Sequence, residues 1–272
     1  MTEYGISGAT VRFGSTVALD DVSMGVAPGE IVAVVGGDGA GKSTLLRALA
    51  GEVPLASGTV TAPEAVRLGF LPASAGSWGG LTVTQNMDFA GGVYGLRGAA
   101  LDERRDDVLG RAGLVAAGAR AASKLSGGMR RKLGFSMAVQ HEPPLLVLDE
   151  PSTGVDPVSR VDLWRLVAEA AAAGAAVVMS TTYLDEAERA SHLLVLDEGR
   201  VLAEGTTDDV LASLPGVVTA DQRAARPEWS WRRGRARHEY WPDGAPTSGA
   251  LVAPDLEDVV IALSLARRAV TS

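Results

Sequence analysis

The chain has 272 residues, 46% of them hydrophobic and only 5% aromatic, with a formal net charge of −8 and no cysteine. That length and aliphatic content exclude a disordered chain and allow one large α/β domain plus a small appendage. The charge argues against general attraction to nucleic acid or an anionic membrane surface, and the lack of cysteine removes disulfides and thiolate metal sites and fits a reducing compartment.

Met1 to Tyr4 lacks the basic and apolar segments of a signal peptide, and the longest apolar stretch, 170–179, falls well short of the roughly 20 residues of a membrane helix. A soluble protein is expected, with any membrane role supplied by a partner. Residues 10–13 and 17–26 alternate as strands, and Pro28-Gly29-Glu30 makes a tight turn. The unbroken aliphatic run 31–35 has the composition of a strand buried on both faces. It enters a glycine-rich loop, and 43–50 reads as a helix. A short strand is expected at 68–72.

From about 83 to 140 the pattern is mostly helical, with breaks expected at Gly91-Gly92, Gly113 and Ser126-Gly127-Gly128. Buried strands follow at 145–148, 176–180 and 193–196, separated by helices at about 157–173 and 183–190. This alternation builds a parallel sheet. The main domain is expected to span 1–214, with its helical part at about 74–140. Residues 215–272 form an accessory segment with Arg232, Arg233, Arg235 and Arg237 among Trp229, Trp231, Tyr240 and Trp241. A turn-rich spacer, 242–254, precedes an amphipathic helix at about 255–268. The segment is expected to be a small β-rich unit with a solvated basic face.

Three groups of residues carry chemistry. Gly36-Gly37-Asp38-Gly39-Ala40-Gly41-Lys42-Ser43, followed by Thr44, fits the G-x-x-x-x-G-K-[ST] phosphate loop. Its glycines let backbone N–H groups converge on phosphate oxygens in front of a helix N-terminus. Lys42 is expected to reach the β- and γ-phosphates of ATP, and the Ser43 hydroxyl to ligate Mg²⁺. A chance match in a chain of 33 glycines is the bland alternative. The strand before the loop and the helix after it argue against that.

Residues 145–150 form an aliphatic strand that ends in Asp149 and Glu150. Asp149 would hold the Mg²⁺ shell, and Glu150 would polarise a water for attack on the γ-phosphate. Such strands are common singly; at the carboxyl edge of the phosphate-loop sheet the functional reading prevails. Leu125-Ser126-Gly127-Gly128-Met129 precedes a helix, and it is either a simple turn or a second anion site.

These motifs, in this order, resemble the ATP-binding cassette of an ABC transporter over residues 4–214. The resemblance implies an ABC-type P-loop NTPase fold. Such a fold has a mostly parallel core sheet, an N-terminal antiparallel β subdomain and a helical signature subdomain, here with a small C-terminal appendage. It makes Phe13 the aromatic that stacks on adenine, Ser126 to Met129 the signature offered to a partner's ATP, and Asp156 part of the D-loop at 152–156. It implies ATPase activity with ATP and Mg²⁺, and a second cassette packed head to tail as homo- or heterodimer. A groove at about 74–125 would receive a helix of an integral membrane permease. No nucleic-acid partner is expected, and the location implied is peripheral, on the cytoplasmic face of the cell membrane.

Two family positions depart from the pattern. Ala73 stands where the Q-loop glutamine belongs, and Thr182 where the switch histidine belongs. Both point to an ATP site that binds nucleotide but hydrolyses it poorly. Asp38-Gly39 and 185–189 resemble the first cassette of tandem-cassette multidrug exporters and a related ribosome-associated ATPase. The motif at 255–260 resembles the C-terminal end of drug-resistance-type cassettes. The alternatives are an ordinary cassette that relies on Glu150, and a soluble ABC-type ATPase acting on ribosomes or nucleic acid. His192, at the start of the next strand, is a poor substitute for the histidine, and His141 and His238 are expected at the surface.

Overall fold

A computed structural model describes residues 3–271. The chain opens with two long antiparallel strands, β1 (Tyr4–Phe13) and β2 (Thr16–Val26), followed by β3 (Ile31–Val35) and helix α1 (Lys42–Leu49). Next come β4 (Ser57–Thr61), β5 (Leu68–Leu71) and three helices, α2 (Val83–Val93), α3 (Gly98–Ala112) and α4 (Gly127–Val139). The alternating part runs through β6 (Leu145–Leu148), α5 (Pro157–Ala172), β7 (Ala176–Ser180), α6 (Leu184–Ala187), β8 (His192–Asp197), β9 (Arg200–Gly205) and α7 (Thr207–Ala212). The chain ends with β10 (Val217–Asp221), β11 (Ser230–Arg233), β12 (Ala236–Trp241), β13 (Ala250–Val252) and α8 (Leu256–Thr271).

The central sheet has the order β5-β6-β7-β3-β8-β9, all parallel except β9. Every residue of β3, β6 and β7 is buried, as their aliphatic composition requires. Alternation divides them between two layers. Ala33, Val35, Leu146, Leu148, Val177 and Met179 face a core shared with α2–α5. Val32, Val34, Leu145, Val147 and Val178 face α1 and the β1–β2 layer. Each fully buried Val or Leu contributes about 1.5–3 kcal/mol of transfer free energy. The N-terminal sheet, β2-β1-β4, covers the second layer. This is the mostly parallel α/β architecture with an antiparallel β layer and a helical region that the motifs implied.

The helices end where local chemistry says they should. Thr82 and Gln85 form a capping box at the start of α2, Ser126 caps α4, and Asp156 with Pro157 starts α5. Gly113 closes α3 in the left-handed conformation.

Several expectations are corrected. Gly91-Gly92 does not break a helix: α2 runs through it, and a Cβ on Gly91 would lie 2.5 Å from a Leu101 methyl, so the small residue serves close helix packing. Gly127 and Gly128 form the first turn of α4 rather than a break before it. The first strand begins at Tyr4, not Thr10, with Gly5 lying tight against Met24 of β2. Neither β4 nor β9 was expected; β4 is exposed throughout and carries no alternating signal. The presumed spacer contains β13.

The C-terminal strands form a separate sheet, β11-β12-β10-β13. Its basic face is less solvated than expected. Arg233 pairs with Asp255 and Glu257 of the α8 end, and Arg226 stacks 3.7 Å over Trp241 while bonding buried Glu239 at 3.2 Å. Helix α8 then returns to the main body, where Leu256 and Val259 join the helical-side core. His238 is not a plain surface residue either, since Nδ1 lies 2.8 Å from buried Asp258. His141 stacks on Tyr94 at 3.5 Å, with both ring nitrogens buried and lacking a hydrogen-bond partner of good geometry. Burial, with a smaller contribution from Arg104, holds its imidazole down at about 4 against a weaker pull from the Leu68 backbone.

Candidate functional site: a phosphate loop and two acids at one sheet edge

The loop at 36–44 leaves the carboxyl end of β3 and opens α1. Gly36 (φ 153°) and Gly41 (φ 102°) hold its shape: a Cβ would lie 2.2 Å from Leu196 O in the first case and 2.8 Å from Ala18 O in the second. Gly39 also has a positive φ, whereas Gly37 and Asp38 are exposed. The turn between β8 and β9 props the loop from behind, since Gly199 N–H donates to buried Ala40 O at 3.0 Å. Lys42 is buried and its Nζ donates to Gly36 O (2.8 Å) and Gly37 O (3.0 Å), which draws its charge over the loop. Residues Ala18, 38–44 and Glu150 line one open cleft of about 270 Å³. Thr44 is half-buried within it, and Ser43 is exposed.

Parallel registry brings the acids to the same edge. β6 and β3 both flank β7, so Asp149 and Glu150 follow β6 beside the loop. Asp149 is only 3% exposed, and its Oδ1 accepts from Ser43 Oγ (3.1 Å) and Ser180 Oγ (2.7 Å). Ser180 Oγ also accepts from the Glu150 N–H at 2.9 Å. Glu150 occupies the left-handed region at φ 48°, a conformation that costs a non-glycine residue on the order of 1 kcal/mol or more and persists only when surroundings enforce it. Here the Ser180 hydroxyl is the enforcing group. Ser180 was missed in the sequence because a serine at a strand end carries no periodic signal.

The donor set suits a hard cation. A hydroxyl and a carboxylate touch at the mouth of an anion cradle, and no cluster of three or more potential metal ligands exists among the described residues. Mg²⁺ is bound in this manner, by one or two protein oxygens plus phosphates and water. Ser43 and Asp149 would hold it, and it would neutralise phosphate charge when bound.

The other predicted residues divide into two groups. Phe13 is 52% exposed at the tip of the β1–β2 hairpin, whose second strand supplies Ala18 to the cleft. Ser126, Gly127 and Met129 sit at the start of α4, where Ser126 Oγ accepts from Met129 N–H at 3.2 Å. Gly128 is buried, and a Cβ there would meet Ser159 Oγ at 2.5 Å, so α4 and α5 start side by side. Asp156 accepts from the amides of Ser159 (3.0 Å) and Val158 (3.1 Å). The Ser159 amide is the main reason its carboxyl is held below the ordinary range.

Ala73 and Thr182 are both exposed, at the ends of β5 and β7. Around Thr182 lies a cluster that sequence reasoning missed. Glu186, 3% exposed, accepts from Ser152 Oγ (2.6 Å), Thr181 Oγ1 (3.0 Å) and Arg160 Nε (2.9 Å). Arg160 lies 3.7 Å over the Tyr183 ring and also binds Asp185. The acidic run at 185–188 was the available signal, but nothing local says which acid turns inward. His192 begins β8, at the end of the sheet away from the cleft, and is no substitute for the histidine.

A phosphate loop after β3, with a buried acid bonded to its serine and a second acid in a left-handed conformation after β6, defines a P-loop ATPase fold. The ABC transporter family profile matches residues 19–153. Daunorubicin resistance ATP-binding protein DrrA3 of Streptomyces coeruleorubidus is 37% identical over 227 residues, covering 79% of this chain and 72% of that protein. Nod factor export ATP-binding protein I of Cupriavidus metallidurans is 35% identical, covering 74% and 70%. The probable multidrug ABC transporter ATP-binding protein YbhF of Escherichia coli K12 is 34% identical, but the match spans only 37% of its length. A solved ATP-binding subunit of an ABC transporter superposes with a TM-score of 0.71 at 30% identity, covering 78% of this chain and 92% of that one. The chain belongs to the ABC transporter family, as an ATP-binding subunit similar to those named for drug resistance.

Proposed function

We propose that this chain is the ATP-binding subunit of an exporter, coupling ATP binding and hydrolysis to a separate membrane permease. The observation that carries this reading is an apolar groove beside the nucleotide edge. Phe70, Pro72, Ala75, Trp78, Phe89 and Val93 line it, and Trp78, Phe89 and Val93 are 46%, 50% and 62% exposed. Trp78 and Phe89 meet edge to face at 4.5 Å, giving a fixed aromatic platform. Exposed apolar surface of this kind fits a partner helix. Its wall at residues 72–75 continues directly from β5, whose neighbour β6 leads into Asp149 and Glu150, so the groove and the ATP cleft rest on adjacent, paired strands.

The chain works on the cytoplasmic face of the membrane through its partner; among the described residues no helix is long and apolar enough to cross one. Residues 1–214 act as the nucleotide-binding body and 215–272 as an accessory segment. ATP and Mg²⁺ bind at 36–44 and Asp149, Phe13 faces the adenine, and Glu150 is the general base. The signature at 126–129 and Asp156 serve the ATP of a second cassette. The chain's own site turns over slowly, because neither Ala73 nor Thr182 carries the polar group expected there.

Co-expression with the permease of a drug-resistance exporter tests the reading. The chain should sediment with membranes, and Trp78→Ser with Phe89→Ser should release it by about fivefold or more while Mg-ATP affinity stays unchanged. Equal membrane recovery of the double variant would overturn the groove as the coupling surface.

A further inference from the structure

The bend after β5 carries an unused cation. Leu71 pairs with Leu148 in the parallel register, and Asp149 N–H donates to Leu71 O at 2.8 Å. The residues that follow on each side, Pro72 and Ala73 against Asp149 and Glu150, therefore leave the sheet together at the ATP edge. Helix α4 packs onto this bend, since a Cβ on Gly134 would lie 2.2 Å from Ala75 O. One turn earlier on the same face, Arg131 donates from Nη1 to Pro72 O at 3.3 Å.

That single long bond leaves most of the guanidinium donors unspent. Arg131 is half-buried, and among the described residues no carboxylate oxygen lies within ion-pair distance of it. Burial lowers its pKa, while the charges of Glu150 and, more weakly, Asp149 raise it. A guanidinium held partly out of water beside two acids, with a planar fork of free donors, is suited to an incoming phosphate oxygen. The neighbouring Ala73 offers only a methyl group.

We propose that Arg131 supplies a γ-phosphate contact from the bend at Pro72-Ala73, so that the signature helix reads the triphosphate in its own chain's site. This rests on the reading of the cleft as an ATP site. It gives α4 two tasks: its N-terminus is offered to a partner's nucleotide, and Arg131, on its second turn, senses whether its own site holds ATP or ADP.

Calorimetric titration of the purified full chain with Mg-ATP and with Mg-ADP tests it. Wild type should prefer ATP. Arg131→Gln should weaken ATP about tenfold or more and ADP less than about twofold, in keeping with loss of one charge-assisted contact to the terminal phosphate. Arg131→Lys, which keeps the charge but not the planar fork, should keep part of the preference. Equal losses for both nucleotides, or none, in variants with wild-type melting behaviour would overturn the assignment. Lys42→Ala separates the two levels: if it leaves ATP affinity intact, the ATP-site reading itself fails and the proposal falls with it.

Discussion

The phosphate loop and the switch segment begin at the ends of adjacent strands, β3 and β7, and face the same sheet edge, yet they are built by opposite means. The loop is backbone architecture. Gly36, Gly39 and Gly41 take conformations that other residues adopt only under strain, and Lys42 bonds carbonyls of its own loop. Its glycines and its lysine all lie within nine consecutive positions. The switch segment is side-chain architecture. Its conformation depends on Glu186 gathering Ser152, Thr181 and Arg160, with Ser152 34 positions away and Arg160 26. A backbone site depends on glycines at particular positions. A side-chain site keeps its scaffold whatever residue it presents, and here the exposed residue presented is Thr182.

Three experiments bear on that contrast, taken from the largest expected effect downward. Removing the centre of the side-chain cluster should cost most. Glu186→Ala leaves the Arg160 Nε and two hydroxyls without their acceptor, and should lower unfolding free energy in urea by about 3 kcal/mol. Glu186→Gln, which keeps an acceptor but no charge, should cost less. Were the alanine variant as stable as wild type, the cluster would not be what orders the switch segment.

Next, Lys42→Ala should leave the fold intact and weaken Mg-ATP binding by about tenfold or more, because the phosphate charge loses its nearest compensating cation. A stability loss as large as that of Glu186→Ala would show that the loop too depends on its side chains, and would erase the contrast.

The third experiment sharpens it. Thr182→His with Ala73→Gln places the two missing groups on scaffolds already present, with Glu150, Asp149 and Ser43 in position. Phosphate release should rise about tenfold while ATP affinity changes little, since the added contacts act mainly on the transition state. A wild-type chain that already turns over at the rate of the double variant would make Thr182 a tolerated residue, and the impaired-site reading would fall.

Much of the molecule was legible from local pattern. The aliphatic runs at 31–35, 145–148 and 176–180 are strands because they are short, β-rich and lack any polar face, and the structure buries every one of their residues. The break at Gly113 was legible too, because a left-handed glycine closes a helix within a few residues, whereas the start of α4 was misplaced past Gly127 and Gly128. Glycines misled where their purpose was packing: Gly91 and Gly5 serve close contacts with Leu101 and Met24 inside regular elements, and no local rule distinguishes that from a break.

By itself, then, the sequence determined the buried sheet, the phosphate loop and the pair of acids, because sterics and hydrophobic period act on neighbouring residues. Only the tertiary structure decided that Ser180 bridges Asp149 to the Glu150 amide, that Glu186 rather than Asp185 turns inward, that Arg131 reaches Pro72, and that α8 returns to the main core. Each of these joins groups distant in the chain, and strand register and helix docking bring them within hydrogen-bond or packing distance. Those depend on the whole core being assembled, and no window of sequence contains them.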